Sequence, residues 1–359
     1  MFGVLDRYIG KTILTSILMT LFTLIALDGV IKFVEQLRRV GEAQYDTFSA
    51  ILVTLTLLPR DLEIFFPMAA LLGALLGLGN LANRSELVVM KAAGFSKIQI
   101  AKSVLKTALI LMFMNMAIGE WVAPMSEQFA RNYRAQKLYG GDLLSTQGSL
   151  WARDKNSFIF INRVDNPQML SGVNIFNFND NKELIELMHA KKANFDADNE
   201  RWQLEQIDIT QLEDEKQVSN RREKSLDWYS QLTPDKLGVV ALSSQALSLS
   251  ELYNYISYLK EAGQEAKTYQ LTFWQKVFAP FAVVVMMLMA LSFIFGPLRS
   301  VPMGVRILTG ISFGFLFYVT NELFGRISLV FSIPPFLGAI LPSILFLSFS
   351  LYLLLKKKY

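Results

Sequence analysis

The sequence predicts an α-helical membrane protein with six transmembrane helices and an all-β domain inserted between the third and fourth. Two observations carry that prediction. Apolar stretches fill roughly residues 11–125 and 268–355, while about 140 residues between them are polar. Within the polar stretch, short apolar runs alternate with period two, the mark of half-buried strands. Composition agrees: 52% of residues are hydrophobic, 27 of them Phe, yet 18% are charged, too many for lipid-embedded helices alone. Residues 1–134 are expected to form one membrane block, 135–267 the inserted domain and 268–359 a second membrane block.

About 20 apolar residues cross a bilayer. The first span runs from about Ile13 to Ile31, with no small-residue cleavage pattern before it, so it reads as a retained helix and not a signal peptide. The second runs from about Leu52 to Leu81, long enough to be tilted or broken, with Pro59 and Pro67 as the break points. The third covers about Ile98 to Val122. After the insert come Phe273–Phe295, Val305–Phe324 and Pro335–Leu355. Six spans put both termini on one side. Arg7 and Lys11, then Arg84, Lys91, Lys97 and Lys102, then Arg299 and Arg306, then Lys356, Lys357 and Lys358 all flank that side, which the positive-inside rule makes cytoplasmic. The insert is then exported, into the periplasm of a Gram-negative cell. Trp121 and Trp274 stand where interfacial anchors belong.

One basic group breaks the rule. Lys32, Arg38, Arg39, Arg60, Arg131 and Arg134 lie at or beyond the other ends of the first three spans. In one reading Glu35, Glu42, Asp61 and Glu63 simply pair with them in water, and Lys32 pairs with Asp28 one turn earlier. In the other the cations form a ring for an anionic headgroup, since guanidinium forks match phosphate oxygens bidentately.

In the insert, SFIFINRV, GVNIFNF, ELIELMHA and NFDADNERWQLEQIDI alternate between Asn, Asp and Gly boundaries over 143–215. That favours an antiparallel sandwich or jelly roll, because the long helices between parallel strands are missing. Residues 246–266 read instead as an amphipathic helix capped by Ser250, leading back to the fourth span. His189 is the single histidine and has no second ligand beside it.

Several chemistries are not expected. Zero cysteines remove thiolate metal sites and disulfides. Gly10-Lys11-Thr12 resembles the tail of a P-loop, but Leu5 stands where its first glycine belongs and no strand precedes it. Gly73, Gly77 and Gly79, with Gly310 and Gly314, read as small-residue helix packing. The acids inside spans, Asp28, Glu120 and Glu322, offer no acid–base pair. Neither an enzyme nor a nucleic-acid partner is expected. The loop after the second span is different. Between Asn83 or Ser85 as cap and Gly94 as stop lies a short helix, about 84–95, with Glu86 in its first turn and Leu87, Met90 and Phe95 available to a partner. Such an acidic-headed helix is one way in which membrane subunits of ABC transporters engage an ATPase, and an ordinary surface loop is the other reading.

PMAALLGALLGLGNLANRSELVVMKAAGFS (67–96), EWVAPMSEQFARNYRAQ (120–136) and ALSFIFGPLRSVPMG (290–304) resemble the lipopolysaccharide export permeases, the LptF/LptG family. FGVLDRYIGKT and LTPDKLGVVAL (232–242) look like its LptG branch. The resemblance covers nearly the whole chain and implies a periplasmic β-jellyroll between spans three and four. It also implies a LptF-like sister permease, a LptB-like ATPase dimer that holds ATP and Mg, and a LptC-like single-span protein beside the first span. The chain itself would bind no cofactor directly. By resemblance Glu86 is the ATPase contact, and Lys32, Arg38, Arg39, Arg60, Arg131 and Arg134 receive lipid A phosphates. Arginine at 38, 39 and 60 keeps the charge where relatives commonly carry lysine. Leu24, Leu27, Phe65, Phe66, Phe313 and Phe317 are candidates to line an acyl-chain cavity between spans one, two and five. Competing readings are a non-transporting scaffold that transmits ATPase motion to its periplasmic domain, and a lipid-modifying membrane enzyme.

Overall fold

A computed structural model describes residues 3–139, 150–166, 168–197, 199–214, 217–230, 232–234, 244–261, 264–298 and 301–355. Arg299, Lys356, Lys357, Lys358, most of 232–242 and the start of the expected strand region at 143–149 lie outside them. Six helices among the described residues are long and apolar enough to cross a membrane. In chain order the elements begin with α1 (Val4–Leu37), α2 (Thr47–Asn83), the short α3 (Glu86–Ala92), α4 (Lys97–Ala117), a π-helical turn (Ile118–Val122) and α5 (Ala123–Tyr139). After six strands come α6 (Leu249–Glu261), α7 (Lys267–Phe295), α8 (Met303–Val330) and α9 (Pro335–Leu355).

Two expectations about the helices change. α2 continues through both Pro59 and Pro67. A proline deletes one donor, but in apolar surroundings nothing else takes up the freed backbone groups, so staying helical costs less than breaking. The third span does not stop at Val122: a π-helical turn carries it into the polar α5, so the helical run reaches Leu138 and beyond. Such turns place an extra residue in the helix and recur at functional positions.

The chain forms two compact units. One comprises residues 1–38, 54–127 and 270–359, the other 39–53 and 128–269. Residues 39–53 and 128–134, expected in the first membrane block, thus group with the inserted domain. In the helical unit, Ile9, Ile13, Ile17 and Leu21 form a buried stripe along α1. Its backbone lies on the glycines of α2: a Cβ at Gly73 would stand 2.6 Å from the Ile17 nitrogen, and one at Gly77 3.2 Å from the Ile13 Cα. Gly310 of α8 meets Leu72 and Leu75, and Gly314 meets Met68. Small residues let helices approach where no hydrophobic effect drives them together. α2 and α7 are the centre, 67% of each apolar window being buried, against 11% for α1 and 22% for α8. Ser292 and Ser350 join α7 to α9 by a 2.8 Å hydroxyl contact.

Arg306, expected as a flanking charge in water, is instead 1% exposed. It donates from Nε to the Leu298 carbonyl (3.2 Å) and from Nη1 to the Gly79 carbonyl (2.9 Å) and Asn83 Oδ1 (3.0 Å). A guanidinium fits there because Gly79 has no Cβ; one would lie 2.8 Å from Nη1.

The second unit holds one antiparallel sheet in chain order: β1 (Leu150–Asp154), β2 (Ser157–Asn166), β3 (Met169–Phe178), β4 (Leu184–Asp196), β5 (Arg201–Asp214) and β6 (Gln217–Trp228). An inserted all-β domain is therefore present, and its described strands form a meander. Ile159, Ile161, Val173, Ile175, Ala190, Leu204, Ile207 and Ile209 bury one face. Trp151 packs on Phe160 and Phe176 on the other. Trp202 is buried and donates from Nε1 to the Leu232 carbonyl at 2.6 Å. β6 was not foreseen as a strand; it pairs with β5 from Trp228 to Gln217. His189 is satisfied inside the sheet, its Nδ1 lying 2.8 Å from Oδ1 of the cross-strand Asn174.

At the β2–β3 register shift, the Ser171 hydroxyl, and then the Arg163 guanidinium, hold the Asp165 carboxyl below the usual carboxylate range. A lowered carboxylate contributes stability that is present above its unfolded value of about 3.9 and is lost as pH falls through the folded value. Hydrogen exchange at this turn should therefore accelerate below about pH 4 and not between pH 5 and 8, and Asp165→Asn should remove that dependence.

α6 corrects the cap. The Ser248 hydroxyl accepts from the Glu251 N–H at 3.2 Å while Glu251 accepts from the Ser248 N–H at 2.8 Å. This capping box belongs to Ser248, not Ser250. Ser248→Ala is expected to cost about 1 kcal/mol, read as a lowered unfolding midpoint for this unit.

Candidate functional site

Two groups of residues stand apart by chemistry. The first lies near the C-terminal end of α1. Lys32 is 3.3 Å from Asp28, one turn before it, and bonds Asp61 of α2. Asp61 is 5% exposed, and its Oδ2 has no hydrogen-bond partner. Next to it on α2, Arg60 donates from Nη1 to Glu127 Oε1 of α5 at 2.7 Å, and Glu127 is 1% exposed. Glu63 approaches Lys276 of α7 at 3.9 Å. It can lie against the π-helical turn because position 119 is glycine: a Cβ there would stand 2.7 Å from Glu63 Oε1. The acids foreseen as water-exposed partners thus divide. Asp61 is the partner of Lys32 but is buried, Glu63 faces Lys276, and Glu35 and Glu42 are exposed. Glu127 and Lys276 were not foreseen. Glu127 stands four residues before Arg131 and looks like half of a local helix pair; its bond to Arg60 is visible only once α2 and α5 meet.

Arg38 is exposed at the end of α1. The other three cations belong to the second unit. Arg131 and Arg134 are three positions apart on α5, so they share a face. Arg39 and Arg134 both act on Tyr45, which burial pushes up and these two guanidiniums pull back. The structure therefore brings Arg39 and Arg134 around one buried phenol. Beside it Asp46 accepts from the Ser49 hydroxyl (2.6 Å) and N–H (2.8 Å), which hold its carboxyl below the usual range.

Of the apolar candidates, Phe66 and Phe317 are buried, and Phe317 stacks edge-on against Phe346 at 5.2 Å. Phe313 packs on Phe293 at 4.9 Å. Leu24 and Phe65 are half-buried against the same core, while Leu27 is 64% exposed.

The second group surrounds α3. Ser85 occupies its N-cap in a left-handed conformation, with no side-chain capping bond. Its end is closed by Gly94 at φ +91°, with Phe95 N–H bonded to the Met90 carbonyl (3.0 Å) and Gly94 N–H to that of Lys91 (3.0 Å). These are the paired bonds of a Schellman ending, which needs glycine at that position. Glu86 accepts from the Tyr8 hydroxyl of α1 at 2.6 Å. Lys91 sits over the Phe295 ring at 4.7 Å. Leu87 is 5% exposed, so it faces the chain's own core and is not available to a partner; Met90 is half-buried against that core. The outward apolar residues are Val88, Val89 and Phe95. Close by in sequence, Asp6 takes Lys106 at 2.5 Å and the Ser103 hydroxyl, tying α1 to α4.

Tyr8 and Lys32 mark the two groups on one helix, and at about 1.5 Å per residue they stand about 36 Å apart. Cationic side chains with counter-charges occupy one end, and a rigidly closed acidic-headed helix the other. Among the described residues no cluster of three His, Asp or Glu could hold a metal ion.

The sequence profile of the family described as "Lipopolysaccharide export system permease LptF/LptG" matches residues 7–356. The chain is 58% identical to the lipopolysaccharide export system permease protein LptG of Escherichia coli (strain K12) over 356 residues, covering 99% of both. It is 50% identical to the LptG of Haemophilus influenzae over 359 residues, the full length of each. Against the LptF of Escherichia coli K12 the identity is 29% over 168 residues, 45% of both chains.

Proposed function

The chain belongs to the lipopolysaccharide export permease LptF/LptG family, and from that premise we propose that it is the LptG-type permease of an ABC exporter. It takes lipopolysaccharide from the outer leaflet of the inner membrane and passes it toward the outer membrane. What carries this reading is the end-to-end likeness to permeases of that name, together with a cationic group and an ATPase-type loop helix at opposite ends of one span.

The physics sets the task. Each buried acyl CH₂ is worth roughly 0.8 kcal/mol, so exposing several chains of about a dozen carbons to water would cost tens of kcal/mol. The lipid must therefore stay in an apolar shelter throughout. The large exposed faces of α1 and α8 supply apolar surface for it; of the residues assigned to chains, Leu27 lies on such a face and Leu24, Phe65 and Phe313 are half-buried, while Phe66 and Phe317 pack inside the chain's own core. Phosphates dock on Lys32, Arg38, Arg39, Arg60, Arg131 and Arg134. A LptF-like sister permease completes the shelter, and a LptC-like single span lies beside α1. A LptB-like ATPase dimer, holding ATP and Mg, grips α3 through Glu86 and the outward Val88, Val89 and Phe95. Its closure narrows the shelter and drives lipid upward. Basic flanks at Arg7, Lys11, Arg84, Lys97 and Lys102 support, by the positive-inside rule, an orientation with both termini and α3 in the cytoplasm and the β domain in the periplasm.

The test is charge reversal. Lys32→Glu combined with Arg134→Glu, in the complex with ATPase and sister permease, is expected to lower lipopolysaccharide-stimulated ATP turnover at least about tenfold. A scaffold that moves no lipid would keep its turnover. Recovery of lipopolysaccharide, ATPase and sister permease with the wild-type chain from detergent checks the partners at the same time.

A further inference from the structure

Lys32 and Arg60 are reachable, but the carboxylates that hold them are not. Their side chains retain 26% and 24% of their exposure, while Asp61 retains 7% and Glu127 1%. Asp61 and Asp28 share the single charge of Lys32, and Asp61 keeps its other oxygen buried without a hydrogen-bond partner. Arg60–Glu127 stands beside them, so Lys32 and Arg60 each already have a counter-charge. Cations already paired with carboxylates are an unexpected lining for an anion site. Any anion that takes Lys32 or Arg60 must leave a buried carboxylate behind.

We propose that Asp61 and Glu127 are specificity-determining residues: built-in counter-ions that deny Lys32 and Arg60 to singly charged phospholipids and yield only to a headgroup with more than one phosphate. The inference rests on the export reading above and deepens it. A phospholipid diester brings one negative charge, no more than the carboxylate it would have to displace from the cation. A bisphosphorylated glycolipid brings two phosphomonoesters on one frame. Once the first engages one cation, the second meets its partner as an intramolecular event. Arg60 and Asp61 are consecutive residues of α2, about 100° apart around the helix, so one ion pair opens toward α1 and the other toward α5, and a frame with two separate phosphates is what can engage both. Discrimination then comes from a built-in penalty against the common competitor, and not only from attraction to the substrate.

The experiment uses the assembled permease–ATPase complex and three probes: bisphosphoryl lipid A, monophosphoryl lipid A and dioleoyl phosphatidylglycerol, titrated in mixed micelles with bound lipid read by native mass spectrometry. Wild type should prefer the bisphosphoryl lipid over the other two by at least about tenfold. Asp61→Asn and Glu127→Gln should each raise phosphatidylglycerol occupancy and cut that preference by about tenfold. Glu127→Asp and Asp61→Glu, which keep the charge, should preserve it; a merely structural pair would lose stability without moving the ratio. Folded neutral variants with an unchanged ratio overturn the inference. If those variants do not fold, equal binding of the three lipids by wild type overturns it instead. No binding of bisphosphoryl lipid A to wild type overturns the export reading, and this inference with it.

Discussion

Arg306→Ala is expected to destabilise the helical unit by about 3–5 kcal/mol, the cost of breaking a buried charged network by removing one partner. The three acceptors it serves, Leu298 O, Gly79 O and Asn83 Oδ1, are drawn from α2 and from the turn after α7. Each buried acceptor left without a donor costs about 1–3 kcal/mol, and a methyl group fills none of the vacated volume. Arg306→Lys is expected to recover only part, because an ammonium has no fork to span acceptors on two elements. The consequence extends past stability. Asn83 is the last residue of α2, and α3 begins at Glu86, so loosening this joint loosens the helix assigned to the ATPase. Thermal unfolding of the detergent-solubilised complex measures the first effect. Coupling, the ratio of lipid delivered to ATP hydrolysed, measures the second and should fall more for Arg306→Lys than its stability loss alone accounts for.

Gly73→Leu is expected to be worse tolerated than any other substitution on α2. Two of the three nearest atoms in its way are the Ile17 Cα and nitrogen, backbone of α1, and the third is the Ile17 Cγ1; backbone cannot rotate aside as a side chain can. Overpacking relieved by side-chain motion costs about 1–3 kcal/mol; here relief requires the two spans to part, undoing the buried stripe of Ile9, Ile13, Ile17 and Leu21. Loss of protease-resistant protein from membranes is the measurement. Gly41→Ala is the control in the opposite sense: it has open space around its Cβ and a φ of +96°, so its cost is conformational and confined to a turn.

Much of the architecture was legible because it depends on composition over long windows. Twenty apolar residues announce a span, and glycines four apart announce a close helix contact, as Gly73 and Gly77 bear out. Alternation announced β2 to β5. It did not announce β6, where QVSNRREKSLDW offers only Val218, Leu226 and Trp228 as apolar anchors; an edge strand with one pairing neighbour can be polar and still be held by its ladder. α3 was legible from Gly94, but not which of its sides faces inward: seven residues are two turns, too few for a stripe to fix orientation, so Leu87 was assigned outward. Arg306 and Glu127 were illegible for one shared reason. A charge near a helix end looks solvated unless its partner is known, and those partners lie 227 and 67 positions away in sequence. The prolines misled because their effect was judged for water, not for a medium where an open backbone has nowhere to turn.

α2 joins the two chemical groups without interruption. Gly73 lies between Arg60 and Asn83, and at about 1.5 Å per residue the arms on either side measure about 20 and 15 Å. Because the close contact with α1 sits at that point, the helix is built as a seesaw. A tilt about that contact, where Gly77 also lies against α1, would carry the Arg60 end one way and the Asn83 end the other, by about three-quarters of the distance.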